Sequence, residues 1–123
     1  MNITPVEQNG KLCAVLEGGG QAVITSPQSA LDILMQAYGE AGTKNIAVDK
    51  RLIAEDFFIL STGLAGEILQ KYINYGGRIA IYGDYSRYTS KPLQDFIRES
   101  NRGKTVFFVG TEAEAQEKLN AAN

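Results

Sequence analysis

A chain of 123 residues, 44% hydrophobic and 21% charged, has the size and composition of one globular domain and not of a disordered tail. Its net charge of −2 leaves no dense basic footprint for a phosphate backbone, so nucleic acid is not an expected partner. With no histidine and a single cysteine, the chain can form no internal disulfide and no Ser-His or Cys-His couple, and it lacks the commonest zinc ligand.

The N-terminus MNITPVEQNG has neither the basic nor the apolar region of a signal peptide. No apolar run approaches the ~20 residues that span a bilayer. The expectation is therefore a cytoplasmic domain over residues 1–123 with no membrane partner. No residue set calls for a metal or cofactor, and none forms a recognisable catalytic array.

Ile3 to Val6 and Leu12 to Leu16 read as two strands joined through Asn9-Gly10, the strongest short hairpin signal. Cys13 lies in the apolar run LCAVL, where a buried free thiol is common. Gly18-Gly19-Gly20 reads as a turn: a phosphate-cradling loop needs Gly-Lys-Ser/Thr at a helix start, and Gln21-Ala22-Val23 follows instead. Ala22 to Ile24 offers a brief strand.

Ser26-Pro27 opens a helix, with serine suited to the N-cap and proline to the first turn. Leu31, Leu34, Met35 and Tyr38 form its expected apolar stripe, and Gly39 and Gly42 close it. Ile46 to Val48 is a short buried strand ending at Asp49. Lys50-Arg51, with Lys44 nearby, reads as a solvated loop. Phe57, Phe58 and Ile59 read as a wedge under the sheet.

A second helix begins at Ser61-Thr62. Leu64, Ile68, Leu69, Tyr72 and Ile73 share one face, and Gly76-Gly77 ends it. Ile79 to Tyr82 is an unbroken apolar run, as expected of a parallel strand covered on both faces. Ser90-Lys91-Pro92 starts a third helix with Leu93, Phe96 and Ile97 inward, and Asn101-Arg102-Gly103 stops it. Val106 to Val109 is the last strand. Thr111 and Glu114 have the spacing of a capping box before a helix carrying Ala115 and Leu119. The order predicts an α/β fold: one mixed sheet with an N-terminal hairpin, parallel central strands and packed helices.

In such a sheet ligands gather outside the carboxyl ends of the strands. That edge should carry Asp49, Lys50, Gly83, Asp84, Tyr85 and Ser86, with Ser61-Thr62 and Ser90 on the same side. Asn101 and Arg102 belong to the opposite edge. Ser61 and Thr62 suit helix caps; the sharper reading is a phospho-acceptor or anion site, since a helix N-terminus favours negative charge. Asp49 and Asp84 suit either a carboxylate pair for acid/base work or two separate turn caps. Tyr82, Tyr85 and Tyr88 beside Arg87 suit either a recognition or dimer surface or ordinary half-buried packing. Arg98, Glu99 and Arg102 suit a surface ion-pair set.

The stretch DFFILSTGLAGEILQKYINYGGRIAIYGDYSRYTSKPLQDFIRESNRGKTVFFV resembles an uncharacterised bacterial family, domain of unknown function 4180. That resemblance spans nearly the whole chain and implies no known activity. Leu60-Ser61-Thr62-Gly63-Leu64, together with the element order, also resembles the STAS domain of anti-sigma-factor antagonists and sulfate transporters. The STAS motif is Asp-Ser-Ser/Thr-Gly-Leu at a helix start, so the resemblance puts Ser61 at the phospho-acceptor position. Leu60 departs from it by replacing the aspartate.

Together these readings predict a non-enzymatic STAS-like module that docks a protein partner through the helix starting near Ser61, with Gly63 and the loop Asp84 to Tyr88 (Tyr85, Ser86, Arg87) on the same surface. A homodimer fits the tyrosines and the exposed hairpin edge. The alternative is a small-ligand-binding protein or histidine-free enzyme with its site at Asp49, Ser61, Asp84 and Ser86.

Overall fold

The computed structural model describes residues 1–122. Its strands are β1 (Asn2–Gln8), β2 (Lys11–Glu17), β3 (Asn45–Asp49), β4 (Arg78–Tyr82) and β5 (Val106–Val109). Its helices are α1 (Pro27–Ala41), α2 (Leu64–Tyr75), α3 (Lys91–Arg102) and α4 (Glu112–Ala122). Three single 3-10 turns, Lys50–Leu52, Glu55–Phe58 and Leu60–Thr62, fill the long connection from β3 to α2.

Asn9 and Gly10 both take positive φ, 53° and 78°, which is the type I′ geometry that matches the twist of a two-residue hairpin. The hairpin pairs β1 with β2 antiparallel; β2, β3, β4 and β5 then add in parallel, and the spatial order is the chain order. Each crossover steps in the same direction. The right-handed rule for such crossovers therefore puts α1, α2 and α3 on one face.

Two cores result. Ala14, Leu16, Ile46, Val48, Ile79, Ile81, Val106 and Phe108 face α1 to α3. Cys13, Val15, Ala47, Ala80, Phe107 and Val109 face α4 through Ala115 and Leu119. The alternation is the period-two pleat of a strand, and it makes the central strands apolar throughout.

Local signals set the helix ends. Ser26 accepts from the Ser29 N–H at 3.0 Å, and the Ser29 hydroxyl accepts from the Ser26 N–H at 3.0 Å, a reciprocal capping box ahead of Pro27. Helix α1 runs through Gly39 and stops at Gly42, whose φ of 74° suits a residue without Cβ. Its inward face is Ala30, Ile33, Leu34, Ala37 and Ala41, with Leu31 half-buried against the same core, so Leu31 and Leu34 of the expected stripe pack inward. Met35 and Tyr38 are exposed. Alanines hold three of the inward positions beside Ile33 and Leu34, and Met35 and Tyr38 turn outward. In α2, Leu64, Ile68 and Tyr72 are buried as expected, whereas Ile73 is exposed.

Other expectations shift in the same way. Ala22 to Ile24 makes only one bridge, Ile24 to Ile53, and no strand. Phe57 and Phe58 are buried, but Ile59 is exposed. Thr111 Oγ1 accepts the Glu114 N–H at 3.2 Å, yet the Glu114 carboxylate takes the Thr111 hydroxyl instead of its N–H, giving half a capping box. The ion pairs on α3 are Lys91 and Arg98 to Asp95, each at 3.1 Å, so the expected set of Arg98, Glu99 and Arg102 does not form. Among the described residues no helix is long and apolar enough to cross a membrane.

Candidate functional site

Ser61 does not cap a helix. It sits in the exposed turn Leu60–Thr62, and α2 begins three residues later at Leu64, behind Gly63 with φ 80°. The turn is pinned by its neighbour: the Thr62 hydroxyl donates toward the carbonyls of Asp56 (2.8 Å) and Ile59 (2.9 Å) and accepts from the Leu64 N–H (3.3 Å). Thr62 lies one residue before Gly63, the N-cap of α2, which has no side-chain cap, so neither hydroxyl of the pair caps the helix as expected. Ser61 makes no hydrogen bond among the described residues, and Ile59 beside it is 48% exposed. A free hydroxyl and an exposed β-branched side chain share a turn whose backbone is held.

Asp49 and Asp84 follow adjacent strands but spend their carboxylates separately. Asp49 takes the Arg51 N–H at 2.8 Å and the Arg51 guanidinium at 2.9 Å. Burial favours its neutral acid, but the Arg51 hydrogen bonds outweigh that and hold its pKa below the usual carboxylate range. Asp84 takes the Ser86 N–H at 2.9 Å, an Asx turn that likewise lowers its pKa. Each caps its own loop, with Lys50 favouring both charges.

Tyr85 and Tyr88 pack inward. The Tyr85 hydroxyl donates to the Ile81 carbonyl at 2.7 Å, and its ring meets Phe108 edge-on at 5.7 Å. Tyr88 stacks on Phe58 at 5.1 Å and donates to Glu55 at 2.9 Å. Arg87 reaches the same Glu55 at 3.0 Å, and the Lys50 ammonium lies 4.8 Å over the Tyr88 ring. This aromatic wall locks the loop after β4 onto the turn Glu55–Phe58. Glu55 is its polar anchor, a residue that sequence reading passed over because its partner is 32 positions away.

Strand alternation assembles a second group on the α4 face. Asp49 stands beside Tyr82 in the register, and the pleat puts Glu17 on the same side as both. The Tyr82 hydroxyl donates to Glu112 at 3.4 Å. Burial, with Glu112 and Asp49 nearby, pushes the Tyr82 phenol up to about 12. Leu16, Glu17, Gly18, Gly20, Asp49, Arg51, Leu52 and Tyr82 line a cleft of about 190 Å³. Glu17 and Tyr82 were legible as pleat partners of Asp49; Glu112 was not, because it comes from α4, 30 positions beyond Tyr82. Among the described residues no three Asp, Glu or Cys side chains gather closely enough to hold a metal ion.

The model of a family described as a domain of unknown function (DUF4180) matches residues 8–119. No curated protein and no solved structure matches the chain.

Proposed function

Because the chain belongs to the family of the domain of unknown function DUF4180, we propose for it a role argued from its own surface: a cytoplasmic binding module that docks a protein partner through the turn 59–63 and the first turn of α2. The observation that carries this reading is the Ser61 hydroxyl, exposed and unbonded on a turn that Thr62 holds in place beside the exposed Ile59. A docking surface gains from such rigidity because little chain entropy is lost on binding. The likeness of Leu60 to Leu64 to the STAS motif supports the same surface and makes Ser61 the residue where a phosphate would switch docking. Plain docking ranks ahead of the switch, since Leu60 stands where that motif has an acid.

The test is quantitative capture of partners from the host by the tagged protein, comparing wild type with Ile59→Asp, Ser61→Ala and Ser61→Glu. Loss of one stoichiometric partner with Ile59→Asp and Ser61→Glu, and its retention with Ser61→Ala, supports a switchable docking turn. A partner profile identical across all four proteins sinks it.

The cleft beside Arg51 favours a second reading, a small-ligand site at the carboxyl edge. There Arg51, the Gly18–Gly20 turn and the Tyr82 hydroxyl would meet a polar molecule with both donors and acceptors. A ligand that binds only the folded state raises the melting temperature. A thermal-shift screen with wild type and Arg51→Ala therefore decides it: a hit lost in Arg51→Ala supports the site, and a silent screen removes it.

A further inference from the structure

The opposite edge of the sheet is electrically distinct. Lys11 opens β2, Lys44 precedes β3 and Arg78 opens β4. Neighbouring strands lie ~4.8 Å apart, so the backbones that carry the three cations span roughly 10 Å; the Lys11 ammonium turns toward α4 at Asn120 and the Lys44 ammonium toward α2 at Tyr75. They border an open groove of about 580 Å³, lined also by Tyr38, Thr43 and Asn45 and by no aspartate or glutamate.

Four of the twelve cations are neutralised by ion pairs. Arg51, Arg87, Lys91 and Arg98 make the ion pairs found among the described residues, and none of them lies on this edge. Lys11, Lys44 and Arg78 bond carbonyls instead: Lys11 that of Asn120 (2.9 Å), Lys44 that of Tyr75 (3.1 Å), Arg78 that of Lys104 (3.0 Å). These bonds fix the cations without cancelling them. The C-terminal ends of α1, α2 and α4 each bring about −0.5 charge, roughly −1.5 against +3, which leaves the groove positive.

We propose that this groove, at the amino ends of β2, β3 and β4, binds a small molecule carrying two or three phosphate groups. Its size falls in the range of ligand pockets, roughly 300–1,000 Å³. The groove, with three cations and no acid in its lining, suits a short polyphosphate. It is too short for the many backbone contacts that nucleic acid binding needs, and the net charge of −2 opposes them. The site lies at the far edge from Ser61 and stands independently of the docking turn.

The test is titration of the intact protein with inorganic pyrophosphate and triphosphate, followed by backbone amide NMR and by calorimetry at two salt concentrations. The expected result is shifts confined to residues 10–12, 42–45 and 76–78, with affinity that falls as salt rises. A Lys44→Gln/Arg78→Gln variant should bind at least tenfold more weakly, while Lys91→Gln/Arg98→Gln binds as wild type. The NMR map of the wild type keeps the idea testable even if the groove variant folds poorly. Absence of shifts at millimolar triphosphate overturns it, as do shifts centred on α3. So does binding of an oligoglutamate peptide without binding of triphosphate, which would make the groove a protein contact.

Discussion

The Asn101 side chain replaces a missing strand beside Phe108: its amide donates to the Phe108 carbonyl at 3.0 Å, and its carbonyl accepts the Phe108 N–H at 2.7 Å. β5 is an edge strand, and an open edge is a template for pairing with another chain. One residue from the end of α3 therefore satisfies two backbone groups and blocks the ladder. Asn101→Ala should cost about 1–3 kcal/mol by leaving both groups unpaired. It should also promote concentration-dependent self-association. Urea unfolding and light scattering check the two effects, and exchange of the Phe108 amide should accelerate. Unchanged exchange would mean that the clamp is not closed in solution.

Gly77 and Gly66 should respond oppositely to alanine. A Cβ on Gly77 would lie 2.7 Å from the Leu34 Cδ2, 2.8 Å from its Cδ1 and 3.3 Å from its Cγ, and Leu34 is fully buried. Gly77→Ala should therefore lose about 1–3 kcal/mol from overpacking, partly recovered in a Gly77→Ala/Leu34→Val double variant. Gly66 lies inside α2 with nothing within 4 Å of its added carbon, so Gly66→Ala should gain about 0.5–1 kcal/mol from helix propensity. Denaturant midpoints that move the same way for both variants would contradict this packing.

Tyr72 crosses between helices to donate its hydroxyl to the Ala30 carbonyl at 3.0 Å, and its side chain is fully buried. Tyr72→Phe should cost about 1 kcal/mol, the net worth of a neutral hydrogen bond. Tyr72→Ala should cost about 3–5 kcal/mol, because it also opens a cavity between α1 and α2. Equal losses for the two variants would assign the whole contribution to the hydroxyl.

Tyr82 makes stability fall at high pH. Its folded pKa, pushed up to about 12, exceeds the ordinary value of about 10, so the folded state holds the phenolic proton more tightly. That contribution is complete below about pH 10 and is lost as pH rises toward about 12. Wild-type stability should decline across this window, with Tyr72 and Tyr85 adding to the decline because burial raises them too. Tyr82→Phe should decline less steeply. Glu112→Gln should move the Tyr82 titration downward, read as phenolate absorbance. Indistinguishable slopes for wild type and Tyr82→Phe would refute the assignment.

The legible parts of this chain were those written in neighbouring residues. Asn9-Gly10, Ser26-Pro27, Gly42 and Gly76 each fix backbone angles or cap hydrogen bonds within a few positions, so the hairpin and the helix ends follow from local chemistry. The apolar runs Ile46 to Val48, Ile79 to Tyr82 and Val106 to Val109 likewise announce parallel strands covered on both faces. Which α1 face is buried was not local. Alanines share the interface with Ile33 and Leu34, while Met35 and Tyr38 are left outside it. The anchoring of Tyr88 by Glu55 and the grouping of Lys11, Lys44 and Arg78 at one groove join residues far apart in the chain, whereas Asp49 and Asp84 each cap the residue two positions on. Composition excludes histidine chemistry and the local pattern sets the elements. Only strand order and register bring distant charges and hydroxyls to a common edge, because those contacts form after the elements have paired and packed.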